Sequence, residues 1–292
     1  MKHVLVLGDQ LTRSVGPLAE ADPSETTVLM IESRALASSM PHHKQKLVLV
    51  FSAMRHFAAE LEADGYTVDY RRSEDFEAGI AAHLAETGAA ELTVMQPTDH
   101  GYEERLRTAA EAADARLDVV ANELWLTDAE EFDSWARGRK TLRLEYFYRE
   151  ARKRRGWLVE DGEPAGGQWN FDADNRETPE PGHVFPDVPR FAPDETTRAV
   201  IDDVESGWPD HFGSTEEFAW PVTRAQALDA LDDFLEHRLA RFGPYEDAIV
   251  EGEPVLYHSL LSVPINLGLL HPREVCERAL EWAADPDHGV PL

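Results

Sequence analysis

The sequence predicts an α/β fold, a doubly wound parallel sheet of five strands at the N-terminus followed by a long connector and then helices. Three observations carry this. The chain opens on Lys2-His3-Val4-Leu5-Val6-Leu7, a near-continuous apolar run closed by Gly8-Asp9, which reads as a strand buried on both faces at the centre of a parallel sheet. Strand and helix patterns then alternate up to about residue 121, the signature of βαβ units with right-handed crossovers. No internal repeat period interrupts that alternation.

Each element follows in order. After the first strand, residues 17–24 read as loop and Thr26–Glu32 as a second buried strand. Leu47, Val50, Phe51, Met54, Phe57, Ala58 and Leu61 recur at spacings of three and four, a helix that starts near Pro41 and stops at Gly65. Tyr66–Tyr70 alternates as a short strand. Residues 75–87 read as helix, 91–95 as strand, 101–114 as helix and 117–121 as strand. Asp128 to Gly138 makes a short helix, and residues 139–155 form a basic segment interleaved with aromatics, with Leu144, Phe147 and Tyr148 on its apolar side. Residues 166–176 are irregular, pinned by Trp169 and Phe171. Asp194–Ser206 and Thr223–Ala240 read as helices, the second with Ala225, Leu228, Leu231, Leu235 and Leu239 on one stripe.

Composition narrows the chemistry. The chain has 292 residues, 42% of them hydrophobic and 9% aromatic, so core material is ample. Against 28 Lys and Arg stand 56 Asp and Glu, a formal net charge of −28 spread along the chain. Such a surface suits a halophilic protein whose self-repulsion is screened by salt, or one that meets basic partners, and the scarcity of lysine favours the first. There is one cysteine, Cys276, expected to be a small buried residue. One cysteine excludes an internal disulfide, a zinc cluster or an iron–sulfur cluster. With no signal peptide and no run of about eighteen apolar residues, the expected location is cytoplasmic, away from membranes.

Candidate sites follow from residue chemistry. Gly8, Asp9 and Gln10 sit where ligands bind in open α/β sheets, and there they either face a ligand or simply turn the chain with Asp9 as a cap. No glycine-rich dinucleotide fingerprint or phosphate loop follows the first strand. His42-His43 reads as a solvated helix start, since neighbouring helical residues diverge by about a third of a turn. The basic-aromatic segment 139–155 suits phosphate and base contact, or a solvated helix face with paired charges. Ser259 and Ser262 near a helix start read as an anion site or as a plain N-cap.

Together, Val6-Leu7-Gly8-Asp9-Gln10-Leu11, His42-His43-Lys44 with Phe51-Ser52-Ala53-Met54-Arg55-His56-Phe57, Glu145-Tyr146-Phe147-Tyr148-Arg149 and Trp169-Asn170-Phe171-Asp172 resemble the photolyase-related proteins. These are the iron–sulfur bacterial and archaeal branch of the cryptochrome/photolyase family. The resemblance runs along nearly the whole chain in one order. It implies an antenna domain over 1–125, an interdomain connector over 126–193 and the first helices of an all-α FAD-binding domain over 194–292. It implies a lumazine antenna lined by Gly8, Asp9, Gln10, Glu32, Val50 and Phe51, with Leu36 departing from the carboxylate found in well-matched relatives. Toward FAD it implies Tyr245, His258, Ser259, Leu260, Leu261 and Ser262, and the candidates toward DNA are Lys140, Arg143, Arg149 and Arg152. The implied activity is light-dependent repair of pyrimidine photoproducts in UV-damaged DNA by electron transfer from reduced FAD, a lyase reaction with no catalytic acid or base in this chain. The helices that complete the flavin cavity, and the four cysteines of the family's iron–sulfur cluster, are absent from these 292 residues. The expectation is therefore a truncated chain incomplete for catalysis, with a second polypeptide as one source of the remainder. The alternatives are a cryptochrome-like light or redox sensor and a non-catalytic antenna-domain remnant.

Overall fold

Five parallel strands in the order β3-β2-β1-β4-β5 organise the first part of the computed structural model, which describes residues 1–291. They are β1 (Lys2–Val6), β2 (Thr26–Ser33), β3 (Thr67–Ser73), β4 (Glu91–Met95) and β5 (Arg116–Val120). As the apolar run required, β1 is the central strand, paired with β2 and β4. Between the strands lie α1 (Arg34–Ala37), α2 (Lys44–Ala63), α3 (Phe76–Thr87) and α4 (Tyr102–Ala112).

The two-residue period of a strand sorts the core. Leu5, Leu7, Leu29, Ile31, Leu92, Val94 and Leu117 share one face and pack under Phe76, Ile80 and Leu84 of α3 and Leu106, Ala109 and Ala110 of α4. The opposite face carries Val4, Val28 and Met30, all fully buried, on the side where α2 packs against β2 and β3. Helices on both faces make the sheet doubly wound.

Strand β3 runs three residues beyond its expected end, through Arg71, Arg72 and Ser73. Charges hide that extension from the hydrophobic pattern, and each is neutralised. Arg71 pairs with Asp69 at 2.6 Å and Glu86 at 2.7 Å, and Arg72 pairs with Glu32 and Asp203.

Packing divides the chain into two units that are not continuous in sequence. One holds Met1–Leu124, Pro189–Ala230 and Leu261–His271, and so adds α7 (Glu195–Gly207) and α10 (Ser262–Asn266) to the sheet. There α7 packs on α2, and Lys44 meets Glu205 at 2.6 Å. The other unit holds Trp125–Val188, Leu231–Leu260 and Pro272–Leu292. It contains α5 (Ala129–Ala136), α6 (Leu144–Arg155), the hairpin β6 (Val159–Glu160) and β7 (Glu163–Pro164), α9 (Leu239–Tyr245) and α11 (Pro272–Ala283). Helix α8 (Arg224–His237) begins in the first unit and ends in the second.

Several expectations are corrected. The hairpin at 159–164 was not foreseen. The single helix expected over 223–240 is two, α8 and α9, because Arg238 leaves helical geometry at φ −128°. The buried stripe of α8 is Ala227, Leu231, Phe234 and Leu235 rather than one through Ala225, which is exposed. Leu144 and Tyr148 of α6 are exposed at 80% and 42%, so the apolar side expected there is not buried. Cys276 is only partly buried, and burial raises its thiol pKa.

Candidate functional site

Strand order reverses between β1 and β4, because β2 and β3 extend the sheet one way from β1 and β4 and β5 the other. Loops leaving the carboxyl ends of such a strand pair diverge and open a crevice. A cavity of about 430 Å³ lies there. Leu7, Gly8 and Asp9 enter it from the turn after β1, and Pro97, Thr98 and Asp99 from the turn after β4. Lys46, Leu49 and Val50 of α2, Leu36 of α1, Phe76 of α3 and Tyr102 of α4 form its walls. Val263, Asn266 and Leu267 close it from α10 and the residue after it.

Local chemistry fixes this geometry. The backbone N–H of Leu11 donates to Leu267 O at 2.9 Å, which ties the β1 turn to the end of α10. The approach requires glycine at 268, where φ is +81° and a Cβ would stand 2.9 Å from Leu11 N. Gly8 serves packing as much as ligand access, since a Cβ there would lie 3.1 Å from Met54 Sδ and 3.2 Å from Val50 Cγ1. Thr98 donates its hydroxyl to Asp9 Oδ2 at 3.0 Å. Burial nevertheless pushes the Asp9 carboxyl up, and neighbouring Asp99 adds to the effect. Tyr102 packs edge-on to Phe76 at 5.6 Å, and burial pushes its phenol up to about 12. An apolar slot with a half-buried carboxyl, an amide and an ammonium at its rim suits a flat, heteroatom-bearing molecule.

Of the residues expected around an antenna, Gly8, Asp9 and Val50 line this cavity, and Leu36 does too. Gln10, Glu32 and Phe51 are placed elsewhere. Gln10 is buried and donates to the carbonyls of Met95 at 3.0 Å and Gln96 at 3.2 Å, bracing β1 against β4. Glu32 is 7% exposed and accepts from Arg55 at 2.7 and 3.1 Å and from the Tyr70 hydroxyl at 2.5 Å. Phe51 packs beside Trp208 at 5.8 Å. Sequence reasoning missed Lys46, Tyr102 and the α10 wall. Tyr102 was detectable as an aromatic at the start of a helix following a β4 turn, but the α10 contribution comes from a segment over 160 residues away in sequence and left no local signal.

The residues expected toward flavin divide between the units. Tyr245, His258, Ser259 and Leu260 belong to one, Leu261 and Ser262 to the other. Tyr245 is buried with its ring 5.2 Å from Tyr257, 6.0 Å from Phe185 and 6.1 Å from His183. His258 Nε2 bonds the carbonyl of Glu246 at 3.0 Å, and its own carbonyl accepts from Arg238 at 3.1 Å. Leu256 and Leu260 flank it in left-handed conformations, at φ +54° and +58°. The expected helix start is corrected in form: α10 begins at Ser262, spans five residues and has no side-chain cap. Ser259 lies outside it.

Around α6 the expected DNA contacts have different local duties. Arg149 pairs with Glu145 at 2.7 Å. Arg152 donates to the carbonyls of Trp157 at 3.2 Å and Leu158 at 2.5 Å, so it fastens the chain that follows the helix. The Trp169 ring lies within 5.1 to 5.6 Å of Lys153, Arg152 and Arg149, which pins its loop as expected. Phe171 is 44% exposed. Lys140 is exposed, and Arg143 precedes α6 with its guanidinium 5.9 Å from the Tyr146 ring.

With this geometry in view, the likenesses to known proteins are informative. Residues 4–220 match a family model described as deoxyribodipyrimidine photo-lyase-related protein. The chain is 41% identical over 295 aligned positions to a (6-4) photolyase of Agrobacterium fabrum, covering 99% of this chain and 58% of that protein. Its fold resembles the crystal structure of a bacterial class III photolyase from Agrobacterium tumefaciens, with TM-score 0.60 at 16% identity, over 99% of this chain and 55% of that one. The chain thus spans little more than half the length of either relative.

Proposed function

The chain belongs to the deoxyribodipyrimidine photo-lyase-related family, and from that premise we propose that it serves light-dependent repair of UV-damaged DNA as a photolyase. The likeness to a (6-4) photolyase over 99% of the chain carries this reading. On it, residues 1–125 form an antenna domain, 126–193 a connector and 194–292 the beginning of the flavin-binding region.

The cavity between β1 and β4 supports the antenna assignment. Its apolar walls fit a flat heteroaromatic such as a lumazine, with Asp9 and Lys46 as polar anchors and Gly8, Val50 and Leu36 in contact. Gln10, Glu32 and Phe51 act on that site by bracing its frame. Leu36, where the family holds the ligand with a carboxylate, leaves the polar grip to the β1 and β4 turns.

When bound, reduced FAD supplies the electron that splits the pyrimidine dimer. The segment from Leu256 to Leu260 supports a place for it. Two left-handed leucines each cost about 1–3 kcal/mol, and such strain persists where surroundings over-determine it, often at ligand sites. Arg238 and the Glu246 carbonyl hold His258 between them. In this reading Tyr245, His258, Ser259 and Leu260 bind and orient the flavin. Lys140 and Arg143 face the DNA backbone, Arg149 and Arg152 hold that surface in shape through Glu145 and the Trp157 and Leu158 carbonyls, and the lesion is presented out of the duplex.

The test is direct. The protein isolated from its own cells, supplied with FAD under reducing conditions, is irradiated with blue light in the presence of oligonucleotides carrying a cyclobutane dimer or a (6-4) photoproduct. Light-dependent loss of either lesion supports repair. Flavin photoreduction with both lesions intact moves the assignment to sensing.

A further inference from the structure

A chain of three titratable groups, its middle member buried and its ends partly so, lies on the α3 face of the sheet, outside the cavity and the basic helix. His83, in the middle of α3, is fully buried. Its Nδ1 stands 2.7 Å from Asp69 Oδ2 on β3, and its Nε2 stands 3.0 Å from His3 Nδ1 on β1. The registers explain the meeting. His3 pairs with Thr27 and Asp69 with Leu29, so both side chains leave the sheet on the face that α3 covers, on either side of β2.

Hydrogen-bond chemistry limits how many protons this chain holds. An ionised carboxylate only accepts, so His83 Nδ1–H donates to Asp69. The contact between the two rings then needs one N–H and one lone pair. With both rings neutral, His3 donates to His83. With one extra proton the bond survives, because the charge sits on either ring and Asp69 balances it. A second extra proton puts two N–H groups face to face at 3.0 Å against the fully buried His83 ring and breaks the bond.

We propose that His3, His83 and Asp69 form an acid-sensitive latch that fastens α3 to the sheet and opens when both imidazoles are protonated. The neighbours set its range. On β3, Arg71 pairs with Asp69 and with Glu86 of α3. On β2 the residues between are uncharged Thr27 and Leu29. Near His3 lies the α-amino group of Met1. On α4, Arg105 is held by Glu77 toward the other end of α3. Burial, the facing His83 ring and the α-amino group all lower the affinity of His3 for a proton. A group with a depressed imidazole pKa contributes its full stability above the ordinary value, and that stability is lost as pH falls. Because α3 begins at Phe76, a wall of the cavity, opening the latch would also loosen that wall. The latch is independent of any DNA chemistry of the chain.

Two measurements test it. In NMR titration, the His3 ring is expected to take up its proton below the ordinary imidazole value. Titration of His3 at or above that value overturns the proposal. In native-state hydrogen exchange, corrected for intrinsic rates, the amides of residues 80–87 are expected to lose roughly tenfold or more protection between about pH 7.5 and about pH 5.5, while those of α2 do not. In His3→Gln that loss is expected to vanish, because an amide both donates to and accepts from His83. Unchanged protection of wild-type α3 at the lower pH, or an equal loss in His3→Gln, overturns it.

Discussion

At the scale of single residues, the cavity and its frame make opposite demands on carboxylates. Asp9 is half-buried with one hydroxyl donor, and burial raises its pKa. A carboxyl whose folded pKa is raised contributes most below its unfolded value, and that contribution is lost as pH rises through the folded pKa. Asp9→Asn keeps the acceptor for Thr98 and removes the buried charge. It is expected to raise Tm by a few degrees at neutral pH, with the gain shrinking toward zero near about pH 4, while ligand binding in the cavity weakens. Thermal melts across pH check it, and a lower Tm for the variant at neutral pH would count against it. Glu32, in the frame, is instead bonded from several sides, by Arg55, Arg72 and Tyr70. Glu32→Gln leaves two guanidinium groups under-compensated and is expected to cost about 2–4 kcal/mol in urea unfolding. Arg72→Ala, at a more exposed partner, is expected to cost under about 1 kcal/mol.

At the scale of elements, α6 separates holding from reaching. None of its residues is buried, and its arginines are spent unequally. Arg152 is anchored to the carbonyls that follow the helix and to the Trp169 ring, so removing it loosens residues 157–169. Lys140 and Arg143, ahead of the helix, carry no such anchorage to the segment after it. Arg152→Ala is therefore expected to lower Tm and to open the 157–169 segment to proteolysis. Lys140→Ala and Arg143→Ala are expected to leave Tm within about 1 °C of wild type, weaken duplex DNA binding a few-fold, and lower the slope of log K against log salt by about 1 each. Equal loss of binding in all three variants with no change in Tm would show that Arg152 also faces solvent and DNA.

At the scale of the whole molecule, legibility in the sequence followed the range of the forces involved. Strands β1, β2 and β4 were readable because burial on both faces writes itself as an apolar run, and α2 because its stripe is local. The end of β3 was not, since Arg71 and Arg72 are tolerated there only by partners on α3, β2 and α7. Half of the expected antenna set reached the cavity, and Glu32 did not, because its arginine partners cannot be paired from sequence order. The charge distribution, by contrast, was legible entirely and carries the remaining prediction. A net charge of −28 opposes compaction, and eight of the 28 basic residues lie in 139–155, so the rest of the surface is more acidic still. The screening length falls from about 10 Å at 0.1 M salt to about 3 Å at 1 M, below the spacing of most surface charges. Raising KCl from about 0.1 M to about 2 M is expected to raise Tm by roughly 10 °C, most steeply at the low end of the range, where screening changes fastest. The buried Glu32–Arg55 pair is screened much less, so the cost of Glu32→Gln should persist at high salt. A Tm that is flat or falls with salt would mean that carboxylate repulsion is already balanced within the fold, and the acidic surface would then need a basic partner to account for it.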